Sequence, residues 1–130
     1  MTKSTLRNIF MAGAFVLAGA ASAHADGDAQ RGQEVFAKCS LCHEIGDGAA
    51  NRVGPQLNGV VGSAAASRSG FEYSRALNEA RRNGLTWTRE NLHAYLANPR
   101  AFLTGGRMAF AGLHDEQERE DIIAYLATFE

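Results

Sequence analysis

Cys39-Ser40-Leu41-Cys42-His43 places two thiols three residues apart with an imidazole directly behind the second. Two thiols at that spacing, near the end of a helix, can reach both vinyl groups of one haem, and the adjoining imidazole is then delivered to the iron as proximal ligand. With only two cysteines and four histidines in 130 residues, the arrangement arises by accident roughly once in two thousand random placements, so chance is a poor account of it. A disulfide or a thioredoxin-like redox pair would use the same two cysteines, but that motif sits beside a strand–helix–strand pattern absent here. A four-ligand zinc site lacks a second ligand pair at suitable spacing.

A haem iron held by His43 has a second axial position. Met1 and Met11 fall in the segment read below as removable, which leaves Met108 as the one methionine of the remaining chain. A lone methionine is commonly gap-filling core, yet this one stands in a glycine-bearing loop, Thr104-Gly105-Gly106-Arg107-Met108, where no amphipathic helix needs it. His93 and His114 are the competing ligands. His93 and Tyr95 are about 200° apart around one helix, so both cannot face the same pocket.

The elements that must position these groups are short. Residues 1–25 read as an export signal to be removed: Lys3 and Arg7 supply the positive start, Ile9 to Ala20 the apolar stretch, and Ala23-His24-Ala25 the small-residue cleavage site, with Ala21-Ser22-Ala23 an alternative. The cut after Ala25 leaves a domain of residues 26–130. The apolar stretch is too short to span a bilayer, and no later segment approaches the roughly 20 apolar residues that spanning requires. Without Lys3 and Arg7 the chain has 11 basic against 14 acidic side chains, a net acidic balance that disfavours nucleic acid as a partner.

Within residues 26–130, Asp26 or Asp28 can cap a first helix running to about Lys38, with Val35, Phe36 and Cys39 on one side. Glu44 to Ser69 has no sustained period and seven punctuating residues, which predicts a long loop, and a loop of that length in a small domain usually wraps something. Tyr73 to Arg82 has helical composition and stops at Asn83-Gly84. Thr88 caps the next helix, with Leu92, Tyr95 and Leu96 apolar, and Asn98-Pro99 ends it. Asp115 and Glu118 form a variant capping box ahead of a last helix carrying Ile122, Ile123, Leu126 and Phe129 to the core. The fold class expected is all-α in a single small domain: short helices and long loops around one haem.

The same residues resemble a known family, class I cytochrome c, and within it the bacterial soluble type similar to the mitochondrial protein. The resemblance covers nearly the whole of residues 26–130. It is carried by Gly32-x-x-x-Phe36 before the haem motif, by Gly54-Pro55-x-Leu57 and Gly70-Phe71-x-Tyr73 after it, and by Trp87-Thr88-x-Glu90-x-Leu92 and Tyr95-Leu96-x-Asn98-Pro99. It ends in Met108-x-Phe110-Ala111-Gly112 and Arg119-x-Asp121-Ile122-Ile123-Ala124-Tyr125-Leu126. The resemblance implies one haem c per chain, attached through Cys39 and Cys42, with His43 and Met108 as the metal ligands. It implies that the Pro55 carbonyl accepts from the distal ring nitrogen of His43, that Tyr73 and Trp87 hydrogen-bond a buried haem propionate, and that the Tyr95 hydroxyl approaches the methionine sulfur. It also implies that Gly32 and Phe36 pack across Ile122, Tyr125 and Leu126, the glycine permitting close approach.

The chain departs from the pattern in places. It is about three residues longer between Tyr73 and Trp87 than the mitochondrial relatives, with Leu77 or Asn78 where an asparagine is common. Ser63 stands where those relatives often place an arginine near a propionate, with Arg68 as a candidate substitute, and Gly106 where they often have threonine. The function expected is single-electron carriage by a soluble monomer in a bacterial periplasm, in a respiratory or photosynthetic chain, with no catalysis in the enzyme sense. Its expected partners are membrane or periplasmic redox complexes, and the haem-attachment machinery during maturation. The alternatives are a dedicated cytochrome subunit of a periplasmic dehydrogenase and a ligand-binding or enzymatic haem protein with displaceable Met108. Lys38, Arg52, Arg100 and Arg107 are expected around the haem edge, and Asp115, Glu116, Glu118, Glu120 and Asp121 at the start of the last helix.

Overall fold

The computed structural model describes residues 26–130, so the expected export signal at residues 1–25 lies outside the described residues. Helix α1, Ala29–Phe36, begins where the Asp28 carboxylate accepts the Arg31 N–H, one of the donors a helix start leaves without a partner. It is two residues shorter than the expected end near Lys38. The chain then goes on in tight turns, Cys39 N–H to Phe36 O at 2.8 Å and His43 N–H to Cys39 O at 3.0 Å, which keep Cys39, Cys42 and His43 within one turn of each other.

Helix α2, Arg75–Arg82, starts later than expected because Ser74, not a residue before Tyr73, is its cap, its hydroxyl accepting from Leu77 N–H at 3.1 Å. Thr88 caps α3, Arg89–Ala97, as expected. Asn98 does end α3, but its side chain also accepts from Ala101 N–H and so opens a further short helix, α4, Pro99–Phe102, which is absent from the helices expected from sequence. Proline at the first helical position loses no hydrogen bond there, so the residue that stops one helix begins the next. Asp115 caps α5, Glu116–Leu126, through Glu118 N–H at 3.0 Å. The reciprocal half of the capping box is not made: the Glu118 carboxylate goes to Lys38 Nζ at 2.6 Å.

The long connection from residue 44 to 74 carries no helix. It is tied down by specific bonds: Gly46 and Asn58 exchange two, at 2.7 and 2.9 Å, and Gly59 N–H reaches Phe129 O. A single antiparallel bridge, Ala64 with Thr86, is the only β pairing among the described residues.

Helix α1 crosses α5 at very short range. A Cβ on Gly32 would sit 2.0 Å from Asp121 O, so only glycine lets the two backbones meet. The buried core joins Val35 of α1 to Ile122, Ile123 and Leu126 of α5, Leu92 of α3, and Ala65, Trp87 and Leu113 from the connections. The Phe36 and Tyr125 rings pack with centroids 5.6 Å apart, and Phe129, past the end of α5, meets Tyr125 edge-on at 5.0 Å. Asp121, 3% exposed, supplies the polar half of the crossing. It accepts from Arg31 Nε at 2.8 Å, from Asp28 N–H at 2.7 Å and from Gln117 at 2.9 Å, so every partner of this buried charge is fixed.

These contacts, with the Arg31 guanidinium first, hold the Asp121 carboxyl down at about 2. A depressed folded value contributes stability above the unfolded carboxylate value near 3.9 that disappears as the pH falls toward 2. Asp121→Asn should therefore lower unfolding stability at neutral pH by about 1–2 kcal/mol, a figure discounted for the half-exposed Arg31. Denaturant titrations between pH 7 and about 2 check this: the gap to wild type should close as the pH falls from about 4 to about 2.

Candidate functional site

The site is built on the turns that follow α1. Cys39 and Cys42 are free thiols, both partly buried. Burial pushes the Cys39 thiol up to about 11, with Lys38 opposing weakly. A redox-active or thiolate-ligating cysteine is lowered instead, so Cys39 is placed as a neutral thiol. No group of three His, Cys, Asp or Glu side chains able to hold a metal ion occurs among the described residues, which leaves the zinc alternative without a ligand set.

His43 is held on two sides. Its Nδ1 lies 2.7 Å from Pro55 O, and because a carbonyl only accepts, that nitrogen carries a proton, so that in the neutral ring Nε2 keeps its lone pair. Gly54, buried directly before Pro55, forms the floor: a Cβ there would come within 2.3 Å of Cε1, 2.6 Å of Nδ1 and 2.7 Å of Nε2. Gly54 N–H in turn donates to Cys42 O at 2.9 Å, so the loop that orients the ring is hydrogen-bonded to the motif that carries it. The result is a nitrogen donor of fixed tautomer and direction beside two thiols.

A second group of residues assembles on α3 and the loop after α4. The Tyr95 hydroxyl donates to Met108 Sδ at 3.8 Å. Tyr95 also packs on Trp87, centroids 4.8 Å apart, and on Phe102 at 5.6 Å, and burial raises its phenol above the ordinary tyrosine value. Beyond Met108 the chain presses against the end of α3: Gly112, at φ +110°, would place a Cβ 2.3 Å from Ala97 O, and Leu113 N–H donates to Leu96 O at 2.7 Å.

His93, the competing ligand, faces α5 instead, with Nε2 3.3 Å from Glu120 Oε1. His114 is exposed. Tyr73 packs edge-on against Phe71 at 4.9 Å and its oxygen accepts Arg68 N–H at 3.0 Å, while the Arg68 guanidinium donates to Asn58 O. Ser63 is occupied locally, its hydroxyl donating to Val60 O at 2.8 Å. The structure thus joins Cys39, Cys42, His43 and Pro55 in one unit and Trp87, Tyr95 and Met108 in another, with Tyr73 in a third cluster beside Arg68. The role of Gly54 as the floor under the ring was missed from sequence, although the glycine next to a ring-orienting proline was the signal for it.

A thiol pair, a directed imidazole nitrogen and a thioether are the donor set that covalent haem attachment with two axial ligands requires. The comparisons with known proteins agree. Residues 29–130 match the sequence model of the family described as cytochrome c. The chain is 48% identical to cytochrome c2 of Rhodomicrobium vannielii over 120 residues, covering 92% of this chain and 93% of that protein. It is 48% identical to cytochrome c-550 of Ancylobacter novellus over 99 residues, 76% of this chain and 92% of that protein. Among solved structures it is similar to cytochrome c2 from Rhodospirillum centenum, with a TM-score of 0.77 and 42% identity over 80% of this chain and 99% of that one.

Gly54→Ala tests the floor under His43. Overpacking of this kind costs about 1–3 kcal/mol, and here the strain falls on the ring that must be aimed. The variant should lower the unfolding midpoint and perturb the haem absorption spectrum of the loaded protein; an unchanged spectrum and midpoint would contradict the placement.

Proposed function

The chain belongs to the cytochrome c family, and from that membership we propose that it is a soluble periplasmic one-electron carrier whose haem c is bound through Cys39 and Cys42 with His43 and Met108 as axial ligands. The observation that carries the ligand assignment is the His43 to Pro55 contact at 2.7 Å, which leaves Nε2 as a directed donor beside two free thiols. Haem c supplies a ferric–ferrous couple that takes up and gives back one electron.

The chain's own residues do the rest. Cys39 and Cys42 would hold the haem through two thioethers, each S–H adding across one vinyl group so that the sulfur and the hydrogen end on its two carbons and no group leaves. His43 and Met108 would both ligate the iron, so no substrate need reach the metal and the chain would carry electrons without catalysing a reaction. A thioether ligand favours the ferrous state relative to a second imidazole, and the aromatic packing of Trp87, Tyr95 and Phe102 beside it works in the same direction by keeping water away. The Tyr95 O–H limits the freedom of the sulfur. Tyr73 and Trp87 are read as propionate partners, with Arg68, in contact with Tyr73, taking the place of the arginine replaced by Ser63. No helix among the described residues is long and apolar enough to cross a membrane.

The partners are redox complexes that meet the chain at the face formed by the haem motif. Leu41 and Val53, 82% and 80% exposed, are the large apolar side chains left uncovered there, and they flank Cys42 across the Gly54 to Cys42 hydrogen bond. Of the cations expected around this face, Lys38 is paired with Glu118 at 2.6 Å and Arg52 with Glu44 at 2.8 Å. The Lys38 pair brings the acidic start of α5 next to the basic side, so the separation of charge is smaller than sequence implied. We assign docking to a central apolar contact with a basic rim that includes Arg100 and Arg107, which make no salt bridge among the described residues, unlike Lys38 and Arg52; such a rim speeds encounter at low salt.

Met108→Ala should keep covalent haem yet lose the ferric iron–sulfur charge-transfer feature and lower the midpoint potential; survival of the feature would contradict the assignment. Charge reversal of Arg107 should slow stopped-flow transfer to a native partner several-fold at low salt, whereas reversal of Arg82 on α2 should not. Equal effects at the two positions would contradict oriented docking.

A further inference from the structure

Arg119 of α5 is the residue that fastens the far end of the Met108 loop. Its Nη1 donates to Leu113 O at 2.6 Å and to His114 O at 3.1 Å, while Leu113, 3% exposed, is held from the other side through its N–H on Leu96 O. The guanidinium is itself steadied by a third contact, Nε to His93 Nε2 at 3.4 Å. That same His93 nitrogen lies 3.3 Å from Glu120 Oε1. One ring nitrogen cannot serve both neighbours: it accepts from Arg119 only while it has a lone pair, and donates to Glu120 only when it carries a proton.

The other charged groups lining this cleft are Arg89 and Glu90 of α3, alongside Glu120 and Arg119 of α5. Two cations and two carboxylates balance, so the proton on His93 decides the local charge. A protonated His93 is also a cation set against a guanidinium, which favours its turn toward Glu120.

We propose that Arg119 is a positioning residue for the Met108 loop and that His93 is its proton-sensitive partner. Neutral His93 holds Arg119 on the Leu113 and His114 carbonyls; protonated His93 turns to Glu120 and removes one of the guanidinium's three holds. The loop is then less firmly seated at its α5 end, and the methionine sulfur with it. This rests on the reading of Met108 as an axial ligand, and it makes that ligation sensitive to acidification through a residue remote from the metal ligands.

The test uses the exported, haem-loaded protein at about pH 8 and about pH 5, where histidine changes charge, in wild type, His93→Gln and Arg119→Lys. Two quantities are read: hydrogen exchange of the Leu113 amide, corrected for intrinsic pH dependence, and the ferric iron–sulfur feature. Wild type should lose about fivefold in Leu113 protection on acidification, the effect of weakening one hydrogen bond, and its iron–sulfur feature should weaken. His93→Gln, which cannot take up the proton, should show the same protection at both pH values. Arg119→Lys, which keeps the charge but not the fork, should be less protected than wild type at both. An unchanged pH response in His93→Gln, or wild-type protection in Arg119→Lys, would overturn the proposal. A wild-type ferric protein with no iron–sulfur feature would instead overturn the ligand reading, and the Leu113 exchange would still judge the clasp on its own.

Discussion

The contact between His43 Nδ1 and Pro55 O organises the site, because it settles three things together. It places the proton on one ring nitrogen, frees the other as a donor, and fixes the plane in which that donor points. The contact needs the chain at 54–55 to lie against the imidazole at less than the distance any side chain would allow, which is why Gly54 stands there. It also needs the motif and the loop to move as one, which the Gly54 to Cys42 hydrogen bond provides. The tight turns after α1 then bring both thiols to the same place as the ring.

What holds those turns still is the crossing of α1 and α5. Its apolar half, Val35 with Ile122, Ile123 and Leu126, is non-directional and sets no register. Register comes from Gly32, and from Gly27 just ahead of α1, each of which lets the chain touch the α5 backbone, and from Asp121, whose bonds to Arg31 and to the Asp28 N–H tie α5 to the start of α1. The methionine side is fastened to the same helix by a different residue, Arg119, so both walls of the site are referenced to α5. A small chain with a core this thin gains most from such shared anchorage.

Much of this was legible in sequence where the governing rule is local. Asp28, Thr88 and Asp115 are caps that depend on a bond three residues away, and the thiol–thiol–imidazole spacing needs no tertiary information. Local reading failed where one residue had two roles or a competitor lay far off. Asn98 both ends α3 and begins α4. Ser74 caps α2 one residue beyond Tyr73, a boundary that helical composition alone does not mark. Glu118 leaves its capping box for Lys38, 80 residues away in sequence. The contact of Arg31 with Asp121, and of Arg119 with both His93 and Leu113, join elements that no pattern of periodicity relates. Resemblance to a family supplied what local rules could not, the pairing of Tyr95 with Met108 and of Pro55 with His43.

An optical redox titration of the purified exported protein reads haem attachment, sulfur ligation and the redox couple together. Covalently bound haem c should titrate as a single reversible one-electron couple, with an iron–sulfur charge-transfer feature present in the ferric form and lost on reduction. Haem that is extractable by acid solvent, or a ferric spectrum lacking that feature with rapid carbon monoxide binding to the ferrous form, would contradict it.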